Sequence, residues 1–331
     1  LVTVSRSTLV RGLAGLLAGI AVAAAPAAAS AETYPSRIVR MVVGFGPGTS
    51  TDIIARLIGN ALSAELGQTI VVENRPGSGG SIATAAVARS TPDGYTLTMG
   101  TVGTHAINAG LFPRLPYDPL KDFVPIALVG YTPTLLVVPK ALPVANVAEL
   151  VAHAKSRSDG VAFASAGTGT SGHLAGEFLK SASGAKMVHV PYKEGGTGLT
   201  DLMAGQVQFM FYHPAAVMPH VRSGALKAIA VSSARRSAAA PDVPTMVEQG
   251  FPSFDLVAWF VLYAPAGTPE PVLARLRDTT ARVLTGAEVS GQLRAQGVEM
   301  LPLDAAALDK FCRDEVKKWT DLVVASGARV E

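Results

Sequence analysis

The chain has 331 residues, 49% hydrophobic and 16% charged, which is enough for one large or two ordinary domains. Its formal net charge is +3, and loss of Arg6 and Arg11 with a leader would lower +3 to +1. No basic run interleaved with aromatics occurs, which argues against a nucleic-acid partner, and a single cysteine, Cys312, leaves no internal disulfide.

At the N-terminus, Arg6 and Arg11 flank the start of a short apolar run, and Ala29-Ser30-Ala31 forms a small-residue cleavage site. Pro26 and its alanine neighbours keep the apolar stretch short of the ~20 residues a membrane span needs. Export with cleavage after Ala31 is expected. No cysteine stands at the cleavage site to carry a lipid, so the periplasm is the expected compartment.

The next strand, Val39–Val43, runs into Gly44-Phe45-Gly46-Pro47-Gly48-Thr49-Ser50-Thr51-Asp52 and a helix with Ile53, Ile54, Leu57, Ile58, Ala61, Leu62 and Leu66 on one face. Thr49 and Asp52 are spaced as a capping pair, and Gly67 is a helix stop. A strand at 69–73, a helix at 81–90 and a strand at 95–99 follow. The last ends in a polar loop, Gly100 to His105, that includes Thr104.

The middle of the chain carries buried-type strands at 125–129 and 135–139, separated by Gly130-Tyr131-Thr132-Pro133. Asn146 and Glu149 open a helix, and the strand 160–164 feeds a second glycine- and hydroxyl-rich loop, Ser165-Ala166-Gly167-Thr168-Gly169-Thr170-Ser171-Gly172-His173. Strands at 187–190, 207–212 and 228–231 alternate with a helix over 197–204. The strand 259–265 returns the chain, and helices at about 269–284 and 304–326 close it. Alternating strands and helices predict parallel sheets covered by helices, with loops at the C-terminal strand ends where such sheets bind ligands. The expected divisions are a signal peptide at 1–31, a first lobe at 32–133, a second at 134–257, and a return to the first at 258–331.

The two loops carry the functional signal. Each presents a helix N-terminus, whose free N–H groups and positive dipole end attract anions, and neither holds Lys or Arg. Phe45, Gly48, Thr49, Ser50, Thr51, Asp52, Thr104, Thr168, Thr170, Ser171 and His173 are therefore candidate ligand contacts, with Tyr212 and His213 as candidate pocket walls. Asp52 sits in a first turn, where helix capping is its first expected role. A dinucleotide reading of Gly44–Thr49 is weak, because the third glycine position is Thr49 and Pro47 stiffens the turn. No H-x-x-x-H or H-E-x-x-H pair occurs, so no metal is expected. No G-x-S-x-G elbow occurs either, and Ser171, His173 and Asp52 are the only candidate reacting groups. No cofactor and no catalytic residue are expected.

Several segments together resemble the extracytoplasmic solute-binding proteins of the tripartite tricarboxylate transporter family, the Bug proteins. They are Tyr34-Pro35, the Phe45–Asp52 loop with Ala55-Arg56, Val72-Glu73-Asn74-Arg75-Pro76-Gly77 and Pro92-Asp93-Gly94-Tyr95-Thr96-Leu97. Leu115-Pro116-Tyr117-Asp118, His173-Leu174-Ala175-Gly176-Glu177, His189-Val190-Pro191-Tyr192-Lys193, Asp201-Leu202, Pro241-Asp242-Val243-Pro244-Thr245 and Ala264-Pro265-Ala266-Gly267-Thr268-Pro269 complete the match. The resemblance implies a type II, venus-flytrap, α/β binding protein of two lobes, each a mostly parallel sheet covered by helices. It implies capture of a small organic carboxylate by the loops Phe45–Asp52 and Ser165–His173, and delivery to a membrane permease of one large and one small subunit. A monomer is expected.

The chain departs from the family pattern at Gly44, Gly46, Thr49, Ser50, Glu194 and Tyr212-His213, which leaves the particular acid open. An exported enzyme acting on small acids, and a ligand-sensing module for a membrane signalling protein, remain the alternatives.

Overall fold

The computed structural model describes residues 34–329; the expected leader, residues 1–31, lies outside them. The first lobe opens with β1 (Val39–Val43), α1 (Ser50–Leu66), β2 (Ile70–Asn74), α2 (Ser81–Ala88), β3 (Thr96–Thr101), α3 (Asn108–Leu111) and β4 (Phe123–Pro133). The chain then passes into β5 (Leu135–Pro139), α4 (Val147–Ser156), β6 (Val161–Ser165), α5 (Ser171–Ser183) and β7 (Met187–Pro191). The second lobe is completed by α6 (Gly195–Met203), β8 (Phe209–Tyr212), α7 (Pro214–Arg222) and β9 (Leu226–Val231). Strand β10 (Val257–Pro265) returns, followed by α8 (Glu270–Thr285), α9 (Ala287–Ala295) and α10 (Ala305–Ser326).

Two five-stranded sheets result, ordered β2-β1-β3-β10-β4 and β7-β6-β8-β5-β9. The pairings make β10 antiparallel to both β3 and β4, and β5 antiparallel to both β8 and β9. In each sheet, therefore, four strands run one way and only the strand that has just crossed from the other lobe runs against them. Position by position the sheets correspond: β1 with β6, β3 with β8, and β10 with β5.

The crossings are short and tied together. Thr134 is the single residue between β4 and β5, and its N–H donates to Ser232 Oγ at 2.9 Å. Ser232 N–H donates back to the Thr134 carbonyl at 2.9 Å, and Ser232 Oγ donates to the Leu256 carbonyl at 2.6 Å. Both side chains are buried, so these bonds join the two crossovers in a region shielded from water.

Helix α1 shows how the local sequence sets the elements. Ile54, Ala55, Ile58, Leu62 and Leu66 are buried at helical spacing, and Gly67 ends the helix at φ 69°, a conformation glycine adopts without a Cβ clash. Its apolar face joins β1, β3 and α8 in one core cluster, while a second lies within the other lobe. A third runs through both lobes and contains Phe163, Phe209, Phe211, Trp259 and Trp319. Trp259 and Trp319 both donate their indole N–H to Glu315 of α10, at 2.8 and 2.7 Å. Cys312 is buried on the same helix, as a small core residue there should be.

Three local expectations give way. The polar segment after β3 is not a loop: β3 extends to Thr101, and Gly103–Ile107 forms a π-helical turn leading directly into α3. The residues Gly130 to Pro133 do not separate two strands but finish β4, where Tyr131 also pairs with Glu299. Helix α7 was not among the expected elements; it holds two prolines, and Pro214 takes the first turn, where its missing N–H costs nothing.

Candidate functional site

The two glycine-rich loops are built alike atom by atom. Thr49 Oγ1 donates to the Gly46 carbonyl at 2.8 Å and accepts from Asp52 N–H at 3.4 Å. Thr170 Oγ1 donates to the Gly167 carbonyl at 2.8 Å and accepts from His173 N–H at 3.4 Å. Three residues on, the pattern repeats. Gly48 N–H donates to Asp52 Oδ2 at 2.9 Å, and Gly169 N–H donates to His173 Nδ1 at 3.3 Å. Both glycines have positive φ, 75° and 86°, which lets each loop fold back on its own helix. Each loop is thus pinned by its threonine N-cap and by the third helical residue. The first serine of each helix, Ser50 or Ser171, lines the cavity at which the loops meet.

Residues behind the loops hold them in place. Asn74 Nδ2 donates to the Phe45 carbonyl and to Asp52 Oδ1, each at 2.9 Å. Arg56 pairs with Asp52 at 2.9 Å. Burial alone would raise the Asp52 pKa, but the bonds from Arg56, Gly48 and Asn74 together outweigh it and hold it below the ordinary carboxylate range. In the second loop, Ser165 Oγ accepts from Gly167 N–H at 3.1 Å and lies 2.6 Å from His189 Nε2. His173 and His189 stack with ring centroids 4.1 Å apart. Burial lowers both, to about 4 and about 3, with Lys180 adding to the drop in each.

The loops meet at a partly open cavity of about 40 Å³, space for a few waters. Its walls come from corresponding places in the two sheets. The ends of β1 and β6 supply Phe45, Ser50 and Thr51, and Ala166, Thr170, Ser171 and Gly172. The ends of β3 and β8 supply Thr101, Val102 and Gly103, and Tyr212 and His213, while β10 adds Ala258, Trp259 and Phe260. No Lys, Arg, Asp or Glu is among these residues. His213 is half-buried, with its Nδ1 shielded from solvent, and burial lowers it to about 4 although the Pro133 carbonyl beside it favours the protonated form. It is therefore neutral near pH 7 and sits with Nε2 3.4 Å from Ser171 Oγ.

Of the residues singled out from sequence, Phe45, Ser50, Thr51, Thr170, Ser171, Tyr212 and His213 come together at this cavity. Six stand back from its walls. Gly48 is exposed, Thr49 and Asp52 spend their polar atoms on the first loop, and His173 does the same for the second. Thr104 Oγ1 is 2.8 Å from His105 Nδ1 and accepts from Thr101 N–H. Thr168 lines a separate outer groove with Ser78, Gly79, Tyr192 and Lys193.

The wall residues that were not singled out are Thr101, Val102, Gly103, Ala166, Gly172, Ala258, Trp259 and Phe260. Six of these carry no polar side-chain group, and β10 reaches the cavity only because it crosses between lobes. The signal for Thr101 to Gly103 was their place after a strand. Among the described residues, no cluster of three or more His, Cys, Asp or Glu has the arrangement of a metal site.

Residues 54–328 match the family described as "Tripartite tricarboxylate transporter family receptor". The chain is 38% identical to Protein BugT of Bordetella pertussis (strain Tohama I) over 313 residues, 94% of this chain and 96% of BugT. Among solved structures, R. palustris Rpa4515 with adipate superposes with a TM-score of 0.86 at 34% identity, covering 90% of this chain and 100% of that one. MatC from Rhodopseudomonas palustris with bound malate gives a TM-score of 0.82 at 36% identity, covering 88% and 100%. With a two-lobed α/β fold, two matched loops facing one cavity, and a family match over most of its length, the chain belongs to the tripartite tricarboxylate transporter receptor family.

Proposed function

We propose that this protein is a periplasmic receptor that captures a small organic carboxylate between its lobes and delivers it to a two-subunit membrane permease, without chemical change to the ligand. The observation that carries this reading is the convergence of the α1 and α5 N-termini, one from each lobe, on a cavity whose walls hold hydroxyls but no ionised side chain. Unpaired N–H groups and the dipole of each helix favour an anion there. Partial enclosure strengthens those interactions by limiting water. The adipate and malate bound by related proteins support a carboxylate as the ligand class.

Catalysis has weaker support. The one hydroxyl–imidazole pair at the cavity, Ser171 and His213, is 3.4 Å apart. No carboxylate orients the ring: the group beside His213 is the Pro133 carbonyl, and no Asp or Glu lines the cavity.

Isothermal titration of ligand-free protein with a panel of carboxylates, repeated on Ser171→Ala, tests the reading. A receptor binds one class of acid, leaves it unchanged by mass spectrometry, and loses about tenfold in affinity or less with the substitution. Turnover of any acid that disappears in Ser171→Ala would replace the receptor with an enzyme.

A further inference from the structure

The correspondence between the two sheets extends to their first edges, where β2 stands in one as β7 does in the other. Each lies beside the strand that feeds a glycine-rich loop, β2 beside β1 and β7 beside β6. The turn that follows each edge strand runs into a helix, residues 75–80 into α2 and residues 192–194 into α6. Both turns reach across to the loop of the opposite lobe.

On one side the approach is backbone to backbone. A Cβ on Gly79 would stand 2.2 Å from the carbonyl oxygen of Thr168 and 3.6 Å from Gly169 Cα, so only glycine fits there. Asn108, wholly buried, holds this turn by donating Nδ2 to Ser81 Oγ at 3.0 Å and to the Gly79 carbonyl at 3.3 Å. On the other side a side chain crosses. A Cβ on Gly46 would stand 3.2 Å from Glu194 Cγ, 3.4 Å from its Cδ and 3.7 Å from its Cβ, so the Glu194 stem lies along the first loop. Tyr192 braces that turn, its N–H donating to the Ser165 carbonyl at 3.1 Å and its hydroxyl to Asp201 at 2.7 Å. Glu194 is the N-cap residue of α6, yet its side chain makes no capping bond and reaches the other lobe instead. Gly46, Gly79, Thr168 and Glu194 all stand outside the walls of the cavity between the lobes.

We propose that the two turns form a reciprocal clasp, each lobe seating one turn on the other lobe's loop, which holds the lobes closed through contacts that a captured ligand does not touch. Closure then has a component of its own, and the ligand-free protein occupies the closed arrangement for part of the time. A binding-competent state that is already populated raises the apparent affinity for every ligand by the same factor. Choice among ligands stays with the cavity, while the strength of the hold is shared with the clasp. This goes beyond the receptor reading, and its first test needs no ligand.

The 3.7 Å separation is that of the two Cβ atoms in a disulfide, so Gly46→Cys combined with Glu194→Cys reports the clasp directly. Glutathione disulfide oxidises the two introduced thiols to one bridge and is itself reduced to two glutathione thiols; the native Cys312 is buried. In the ligand-free full-length protein the bridge should form, as mapped by peptide masses, and small-angle scattering should show a smaller radius of gyration than in the reduced form. Bridging only when a carboxylate is present would overturn a clasp that holds on its own, and no bridging in either condition would overturn the contact itself. Glu194→Gly, at an exposed position, gives a second reading without introduced thiols. It should weaken binding of every acid that the parent protein binds by a common factor of about fourfold or more, the worth of one buried methylene group, with the order of preference unchanged. A loss confined to one acid, or no loss, would contradict the clasp. Silence of the parent protein toward every acid would remove the receptor reading, and the bridge in ligand-free protein would still decide for or against the clasp.

Discussion

Thr49 and Thr170 occupy the same position in two loops separated by more than a hundred residues, and each makes the same pair of hydrogen bonds. The role of Thr49 as an N-cap was legible in the sequence because capping is local, whereas Thr170 was singled out only as a candidate ligand contact and its capping role comes from the structure. Replacing either with Ala should cost about 1 kcal/mol of stability in urea denaturation. Ligand affinity should fall more for Thr170→Ala than for Thr49→Ala, because only Thr170 is among the cavity walls.

Asp52 was less legible. Its spacing placed it in a first turn, but its carboxylate is fixed by Asn74, twenty-two positions away, and no local pattern announces that bond. The histidines supply a pH dependence. Burial lowers His105 and His189 to about 3 and His173 and His213 to about 4, against an ordinary value of 6.5. Between those limits the unfolded chain binds more protons than the folded one, so stability is lost as pH falls through the window and regained as it rises. Thermal melts should drop steadily from pH 7 to pH 4. A midpoint unchanged across that range would show that these rings are not held neutral by burial.

At the scale of elements, long periodic segments were readable and short or crossing ones were not. Helix α1 announces itself by apolar spacing and a glycine stop, while α7 is hidden by its two prolines. The turn after β3 reads as a polar loop because Gly103 and Thr104 disfavour helix. It closes as a π-helical turn because Tyr117 donates to the Thr104 carbonyl at 2.5 Å and His105 stacks on Tyr263 with centroids 4.1 Å apart. Those partners lie far along the chain.

This turn also sets how closely the lobes approach. A Cβ on Gly103 would stand 2.8 Å from the carbonyl oxygen of Gly169 in the opposite lobe, a backbone atom with little freedom to move. Gly103→Ala should therefore hold the lobes apart, weakening ligand affinity by about tenfold or more while each lobe keeps its fold. Small-angle scattering with saturating ligand would report it as a larger radius of gyration than the parent protein. An unchanged radius and affinity would show that the contact yields.

For the whole molecule, the alternation of strands and helices indicated two sheets covered by helices, and the sheets are indeed alike in strand order. What the pattern did not convey is how β5 and β10 are inserted. Each is a buried apolar run, and its antiparallel placement between the third strand and the edge follows from crossing out of the other lobe. The same crossings are tied through Thr134, Ser232 and Leu256, and on the proposed receptor reading they would be the hinge about which the lobes close. Because the proposed anion site is made of helix ends in a partly enclosed space, binding should weaken only modestly from low to high salt. A steep loss would point to exposed charges that the cavity walls do not contain.

The central claim is that an anion bound between two helix N-termini draws the lobes together. The most direct measurement is a thermal-shift screen of refolded protein against mono-, di- and tricarboxylates, aromatic acids, amino acids and nicotinamide dinucleotides. At a ligand concentration of ~1,000 times Kd, binding should add about 4 kcal/mol of apparent stability, a shift easily seen. The account predicts a clear rise in melting temperature with one class of carboxylate and none with the dinucleotides. No response to any carboxylate, or a response to a dinucleotide alone, would contradict it.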